Sequence, residues 1–381
     1  MLNEAISDYL LWMIGKGYTE NSWKKAEWAL KSFSNFVSKR NIDMEMIFTF
    51  NTQKAFGEQM PNYIYAVRGL WRYLYEQGRI NQALEKEKVR LPDVYEDYLL
   101  YYARLKQVHY LSILRTRRVL SAFNNYLKRQ RVSLSALGIK DLDTFLAEYN
   151  CAYAPWTQQN NRSCLRGFIK YLYQERGILR KDFAPLLIGA PLFAQAKPPK
   201  FLRPQEMQKL FTNLKNSSFR EIRVNAMIHL AFNLGLRPKE ISLISLDDIS
   251  FREEQICLPD RKSKNPIKLP LSDGTLKAIA AYIIGARAKS KERAIFLSLR
   301  APYAPIVPAT VSGDIAKCMH RVNLPSSAYW LRHTYAQNLL ENGASIFEIK
   351  EMLGHDRIQT TGGYLHIHTA LMREVLFDET L

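Results

Sequence analysis

The chain has 381 residues, 47% of them hydrophobic and 12% aromatic, so it can form two or three domains with packed cores. Its formal net charge of +18 favours a polyanionic partner, although membrane-binding and ribosomal proteins share such a charge. No apolar run reaches the roughly 18 residues of a membrane span, and the N-terminus lacks a signal-peptide layout. The cysteines have no paired spacing, which disfavours a zinc site and a disulfide framework. We therefore expect a cytoplasmic protein.

Residues 1–93 carry apolar side chains at helical spacing in three stretches. The first stretch contains Ile6, Leu10, Met13 and Ile14, the second contains Ala26, Leu30, Phe33 and Val37, and the third covers residues 63–75. This pattern predicts a small helical domain.

Residues 94–190 repeat the plan of the first 93. Asp8-Tyr9-Leu10-Leu11 recurs as Asp97-Tyr98-Leu99-Leu100, the stretch 30–36 recurs as 120–126, and the stretch 68–75 recurs as 166–173. Three matched blocks in the same order indicate duplication of a helical domain. The alternative is that amphipathic helices share such patterns by chance.

Positive charge is concentrated in the second repeat. Residues 1–93 have 13 Lys+Arg and 11 Asp+Glu, a net charge of +2, whereas residues 94–200 have 17 and 7, a net charge of +10. The second repeat is therefore the expected binder of a polyanion such as the DNA backbone, and the nearly neutral first repeat is expected to contact protein. The candidate DNA-binding residues are Arg115, Arg117, Arg118, Lys128, Arg129 and Arg131. The alternative is a solvated helix face.

A connector rich in proline and lysine at 191–200 predicts a linker before a third domain at 201–381. Pro204 and Glu206 suit the first turn of a helix. Residues 226–234 predict a buried helix that stops at Gly235, and residues 249–271 predict short strands with a turn at 262–266.

The stretch 329–364 combines residue types that suit phosphodiester chemistry without a metal. Arg332 can hold a phosphate oxygen with two N–H donors. His355 can donate a hydrogen bond or move a proton. The hydroxyl of Tyr364 can attack phosphorus and form a covalent ester.

This stretch resembles the C-terminal signature of the tyrosine recombinases, the phage-integrase family. That signature has His-x-x-Arg, then Leu-Gly-His, then a nucleophilic Tyr. Arg332, Leu353-Gly354-His355 and Tyr364 match it in type and spacing, whereas Tyr329 stands where the family has its first His.

Two further catalytic positions follow from the resemblance. The segment 234–240 looks like the one that carries the family's first catalytic Arg, here Arg237, with Glu240 as the acidic residue that supports it. The segment 256–271 looks like the hairpin that carries the catalytic Lys, here Lys262, with Lys264 as the second choice and as a candidate DNA contact.

The resemblance implies a mainly α fold with a small antiparallel β-sheet in the catalytic domain, of the α+β class. Two helical domains, of the core-binding type, would precede the catalytic domain, although a single copy is usual. It also implies cleavage and rejoining of double-stranded DNA by a homotetramer, association with the nucleoid when DNA-bound, and no cofactor or metal. A terminal helix at 370–377 would dock on a neighbouring protomer.

The residue at position 329 leaves two alternatives open. A Tyr there can donate a hydrogen bond to a phosphate oxygen but is a poor base at pH 7, or it merely packs beside Trp330. The chain would accordingly be an active recombinase of a mobile element, serving integration, excision or transposition, or a DNA-binding protein that has lost cleavage. A type IB topoisomerase shares the catalytic set and is the third possibility.

Overall fold

Apolar side chains recur at helical spacing along most of the chain, and the computed structural model contains fifteen α-helices, short 3₁₀ helices and one small sheet in the part that it describes. It describes residues 2–43, 46–81, 90–106, 108, 110–189, 200–258, 267–324 and 327–354. The predicted fold class, mainly helical with a small antiparallel sheet, is confirmed. Within these ranges, no helix has both the length and the apolar character that crossing a membrane requires.

The chain divides into two compact units. One contains residues 1–47, 53–81 and 196–381, and the other contains residues 48–52 and 82–195. The boundaries expected from sequence at residues 93, 190 and 200 remain predictions.

Each N-terminal repeat contains four helices. The first has α1 (Leu2–Gly15), α2 (Glu20–Lys39), α3 (Phe50–Gln59) and α4 (Ile64–Glu76), and the second has α5 (Asp93–Lys106), α6 (Tyr110–Gln130), α7 (Ile139–Asn150) and α8 (Pro155–Gln174). Helix α1 buries Ile6, Tyr9 and Met13, whereas Ile14 is exposed. The prediction for Ile14 is wrong: the buried residues Ile6, Tyr9 and Met13 lie on one face of α1, and Ile14, about 100° further round the helix than Met13, lies outside that face.

Three aromatic contacts recur at equivalent positions of the two repeats. The Tyr9–Tyr73 pair of the first repeat corresponds to Tyr98–Tyr171 of the second, with ring centroids 5.6 and 5.3 Å apart. Phe33–Phe56 corresponds to Phe123–Phe145, at 5.1 and 5.0 Å. Phe36–Phe56 corresponds to Tyr126–Phe145, at 5.4 and 5.5 Å. A Cβ on Gly69 would lie 2.3 Å from the hydroxyl of Tyr9, and one on Gly167 would lie 2.5 Å from that of Tyr98. Both positions therefore require glycine for the same reason, which supports duplication over chance similarity.

Seven further α-helices lie between residues 204 and 353 in the described part of the chain, and α10 is the central one. They are α9 (Pro204–Thr212), α10 (Phe219–Asn233), α11 (Pro238–Leu243), α12 (Asp273–Gly285), α13 (Pro308–Arg321), α14 (Ala328–Glu341) and α15 (Ile346–Leu353). Helix α10 contacts α11, α12, α13 and α14. It buries Val224, Met227, Ile228 and Leu230, as expected of a helix covered on several sides. The predicted stop at Gly235 is confirmed, since α10 ends at Asn233 and Gly235 has a φ of +61°.

The sheet has three short antiparallel strands in the order β1 (Ile249–Ser250), β2 (Gln255–Leu258) and β3 (Ile267–Pro270). Ile256 of β2 pairs with Ile249 of β1 and with Leu269 of β3. All three side chains are buried, so one face of the sheet belongs to the core. The predicted turn at 262–266 lies outside the described residues.

Helix α15 packs on α14 through a small separate cluster. Its buried members are Ala336, Leu340, Ile349 and Leu353. Helix α15 begins at a capping box, in which Ser345 Oγ accepts a hydrogen bond from the Glu348 N–H and the Glu348 carboxylate accepts one from the Ser345 N–H. Gly354 then ends it in the left-handed conformation, with φ 61° and ψ 53°. The end of α15 is thus held at a defined place beside α14.

Candidate active site

Arg237 lies in the tight connection between α10 and α11. It precedes Pro238, the first residue of α11, and follows the turn at Gly235. A Cβ on Gly235 would lie 2.4 Å from the Tyr335 ring, so the close approach of α14 also requires glycine here. The connection is therefore fixed by both backbone conformation and packing.

The carboxylate of Glu240 holds both the main chain and the side chain of Arg237. One oxygen accepts the Arg237 backbone N–H at 2.7 Å, and the other accepts Nη1–H at 2.7 Å. The side chains of Arg237 and Glu240 are 19% and 6% exposed. A carboxylate that bonds two atoms of one residue restricts its rotamer, so Glu240 orients the guanidinium of Arg237.

Arg332, on α14, is buried and connects two distant segments. Its Nη1 donates to the carbonyl oxygen of Gly235, and its Nη2 donates to that of Leu353 at 2.6 Å. Nη1 also lies 3.8 Å from the Glu240 carboxylate. Arg332 thus links the connection that precedes Arg237 to the end of α15.

The two guanidinium groups meet at the C-terminal end of α15. Arg237 Nη2 donates to the carbonyl of Gly354 at 3.1 Å, next to the Leu353 carbonyl that Arg332 binds. The last carbonyls of a helix have no partner within the helix and carry partial negative charge, so they suit arginine donors. Among the described residues these two cations share the Glu240 carboxylate, an arrangement that suits an anion such as a phosphodiester.

Three predicted catalytic residues, His355, Lys262 and Tyr364, lie outside the described residues. His355 directly follows Gly354, and Lys262 and Lys264 belong to the segment between β2 and β3. Tyr364 and the expected terminal helix at 370–377 come after the last described residue. Their roles stay predictions.

Tyr329 stands in the first turn of α14. Its backbone N–H donates to Ser327 Oγ at 3.2 Å, and its side chain is 49% exposed. Residues three apart lie on the same side of a helix, so Tyr329 shares a side of α14 with Arg332. The neighbouring Trp330 is packed against the main core and has the Lys200 amino group 5.6 Å from its ring centroid.

His333 is a feature that the sequence reasoning missed. Burial, and then the positive charge of Arg332, lower the pKa of His333 to about 4. The imidazole is therefore neutral at pH 7 beside the arginine. The sequence did place His333 immediately after Arg332, and that position could have marked it as a residue near the site.

The predicted DNA-binding residues of the second repeat do not share one environment. Arg115, Arg118 and Arg129 are exposed on α6. Arg118 and Arg129 follow Arg115 by three and by fourteen positions, so all three lie on one side of the helix. Arg117 instead forms a two-bond ion pair with Glu96 of α5, at 2.5 Å. Lys128 is exposed near the end of α6, and Arg131 follows the helix with a φ of 56°.

A family model described as the phage integrase family matches residues 200–370. The chain is 25% identical over 383 residues to a putative integrase/recombinase, y4rA, of Sinorhizobium fredii, and the alignment covers 95% of this chain and 90% of that protein. It is 28% identical over 320 residues to a tyrosine recombinase XerC of Caldanaerobacter subterraneus subsp. tengcongensis, with 76% and 87% covered.

Two solved structures share the fold. A XerH site-specific recombinase bound to palindromic difH substrate aligns with a TM-score of 0.61 at 18% identity, over 81% of this chain and 87% of that chain. An integrase of transposon Tn1549 in complex with circular-intermediate DNA aligns with a TM-score of 0.60 at 15% identity, over 75% and 99%.

Proposed function

This chain belongs to the phage integrase family of tyrosine recombinases, and we propose that it is a site-specific recombinase that cuts and rejoins double-stranded DNA through a 3′-phosphotyrosyl intermediate. The observation that carries the proposal is the meeting of Arg237 and Arg332 at the end of α15, directly before His355. The family motifs are far apart in sequence, and the fold brings two of them into one hydrogen-bonded group.

The proposed reaction divides its work among five residues. The Tyr364 hydroxyl gives up its proton to water as its oxygen attacks the scissile phosphorus and forms a new O–P bond, and the bond to the 5′-oxygen breaks. Arg237 and Arg332 offset the negative charge of the pentavalent transition state, and His355 hydrogen-bonds a non-bridging oxygen. Lys262 gives a proton to the leaving 5′-oxygen.

Rejoining reverses these steps with another strand. A free 5′-hydroxyl attacks the phosphotyrosine, and Tyr364 leaves. The intermediate conserves the energy of the phosphodiester bond, so no energy cofactor is required. Exchange between two duplexes needs four active sites, and we propose a tetramer on synapsed DNA.

The biological setting that we propose is the movement of a mobile element. A putative integrase/recombinase aligns with 95% of this chain, and a transposon integrase shares its fold. Integration, excision and transposition all use the chemistry given above.

A second candidate function is DNA binding without cleavage. It is favoured by Tyr329, which replaces the family's His and is half exposed beside the arginine pair. Loss of a proton-transferring group at this position is compatible with a protein that still binds DNA and has stopped cutting it.

Covalent trapping separates the two functions. Wild-type protein is incubated with a pool of nicked duplexes that carry a randomised centre, and protein–DNA adducts that resist detergent are recovered and mapped. We expect an adduct at Tyr364 in the wild type and none in Tyr364→Phe, which loses only a hydroxyl.

Tyr329→Phe is the matched comparison, because it makes the same change at the other tyrosine of the motif. It should form the adduct more slowly but at the same site. An adduct that persists in Tyr364→Phe, or no adduct in the wild type on any duplex that it binds, contradicts the proposal.

A further inference from the structure

Asn233, the last residue of α10, makes hydrogen bonds outside its own helix. It lies four positions before Arg237 in the chain. Its side-chain Nδ2 donates to Thr275 Oγ1 at 2.8 Å and lies 3.5 Å from Ser272 Oγ. Ser272 is the N-cap residue of α12 and follows the end of β3 by two positions. The amide of Asn233 therefore connects the helix that leads to Arg237 with the corner between β3 and α12.

A neutral histidine completes this polar group. His229, one helical turn before Asn233, has its Nδ1 atom 3.3 Å from Asn233 Nδ2. Burial lowers the pKa of His229, so its imidazole is uncharged at neutral pH. Because the amide nitrogen of an asparagine is a donor only, Nδ1 is the acceptor in this pair. The two N–H groups of Asn233 thus serve one acceptor on α10 and one on α12.

The acceptor on α12 is itself held in place. Thr275 is 0% exposed, and its Oγ1 lies 2.9 Å from Ser272 Oγ. Helices α10 and α12 also share apolar contacts in the main core, where Ala231 and Ile279 are members. Apolar burial has no preferred direction, whereas a hydrogen bond sets a distance and an angle. The Asn233–Thr275 bond therefore fixes how far α10 is displaced along α12.

The corner between β3 and α12 matters because of the segment that precedes it. Lys262 belongs to the segment that joins β2 to β3. The paired strands hold both ends of that segment, with Leu258 opposite Ile267, and Leu269 anchors β3 in the core. A shift of this corner along α10 would move the strand pair, and with it the attachment of Lys262, relative to Arg237.

We propose that Asn233 is a positioning residue for strand cleavage, because its bond to Thr275 sets the placement of the Lys262 segment relative to Arg237. This inference rests on the proposed function, in which Lys262 protonates the leaving 5′-oxygen and Arg237 binds the phosphate. Asn233 acts through these two residues and needs no contact with the DNA. A misplacement of about 1 Å can cost about 10² in rate, so the loss of this one bond is measurable.

The test uses two nicked duplexes that differ in one atom. Both carry a site that the wild type cleaves in the trapping experiment, and the second has sulfur in place of the leaving 5′-oxygen. In each, the Tyr364 oxygen gives its proton to water and bonds to phosphorus, and the bond from phosphorus to the 5′ atom breaks. The oxygen leaves with a proton from Lys262, whereas the sulfur leaves as a thiolate, because thiols have a pKa of about 8.5. Sulfur therefore removes the need for a well-placed acid.

Two variants remove the same bond from its two sides. Asn233→Leu keeps a branched side chain without N–H groups, and Thr275→Val removes the acceptor. In each, we expect the rate constant for cleavage at saturating duplex to fall by about 10² with the oxygen substrate and to return towards the wild-type value with the sulfur substrate. The dissociation constant for DNA should not change. The double variant should be no slower than either single one, since both lose one shared interaction.

Asn225→Leu is the matched control. Asn225 lies on the same helix and donates to Asn216 Oδ1 at 3.1 Å, a bond that does not involve α12. We expect it to cleave both substrates at the wild-type rate. If Asn233→Leu and Thr275→Val cleave the oxygen substrate at the wild-type rate, or are slowed equally on both substrates, Asn233 has at most a structural role and the proposal is wrong.

Lys262→Ala separates a failure of this inference from a failure of the proposed function. It should be slow on the oxygen substrate and restored by sulfur. If sulfur restores Lys262→Ala but neither Asn233→Leu nor Thr275→Val, only the positioning role of Asn233 fails. If sulfur does not restore Lys262→Ala, the acid role proposed for Lys262 fails, and the positioning role fails with it.

Discussion

The substitution Glu240→Gln tests whether one carboxylate organises the arginine pair. Glu240 accepts two hydrogen bonds of 2.7 Å from Arg237 and lies 3.8 Å from Arg332. The glutamine is isosteric, but it removes the negative charge and turns one acceptor into a donor that faces N–H groups. Two cations would then remain close together without a counter-charge.

The expected cost follows from burial. Removing one partner of a buried ion pair costs about 3–5 kcal/mol. Since the Arg237 side chain is 19% exposed, we expect the lower end, about 3 kcal/mol. Strand cleavage should fall by about 10² or more, because Arg237 loses the group that orients it.

Hydrogen exchange measured by mass spectrometry isolates this effect from the helical repeats. Peptides that cover α14 report the local opening free energy, and a loss of about 3 kcal/mol corresponds to roughly hundredfold faster exchange. Asp273→Asn is the control, because it breaks the exposed pair with Lys277, which is worth about 0–1 kcal/mol. If exchange in Glu240→Gln matches that control, Glu240 does not organise the site.

Two further predictions concern α14. Tyr329→Phe should slow cleavage of a nicked substrate by about 10² to 10³, the usual effect of losing one hydrogen-bond donor to a developing charge. Tyr329→His should retain or raise the rate. A wild-type rate for Tyr329→Phe would mean that the hydroxyl takes no part in the chemistry. Because burial lowers the pKa of His333 from 6.5 to about 4, the unfolded chain takes up this proton first as the pH falls. The stability that the neutral imidazole contributes is complete above about pH 6.5 and is lost towards pH 4, by about 2 kcal/mol after allowance for partial exposure. In His333→Gln, the free energy of local opening of α14 should change less between pH 6.5 and pH 4 than in the wild type. The same pH dependence in both proteins would mean that the neutral His333 imidazole does not contribute this stability.

Local patterns in the sequence were enough to predict several helices, the start of α9 and the end of α10. The stop at Gly235 and the helix start at Pro204 were read correctly, because chain reversal and first-turn preferences depend on a few adjacent residues. The duplication stays a prediction from matched blocks that recur in order, and it is supported by the equivalent ring contacts Tyr9–Tyr73 and Tyr98–Tyr171. The family motifs pointed to Arg237, Glu240 and Arg332 as candidate site residues without any fold, and their catalytic roles stay predictions.

Sequence patterns could not reveal how these residues meet. Arg332 binds the carbonyls of Gly235 and Leu353 because α14 packs against α10 and α15. Gly235 is 97 positions from Arg332 in the chain and Leu353 is 21 positions away, and no local pattern encodes contacts over such separations. The first repeat is nearly neutral in sum, but only the fold shows that Lys25, Arg68 and Arg72 line one cleft. Helix periodicity and capping are local properties and can be read from sequence. Which charges remain unpaired, and which carbonyls an arginine reaches, are decided by tertiary packing, because both depend on distances between elements that are remote in the chain.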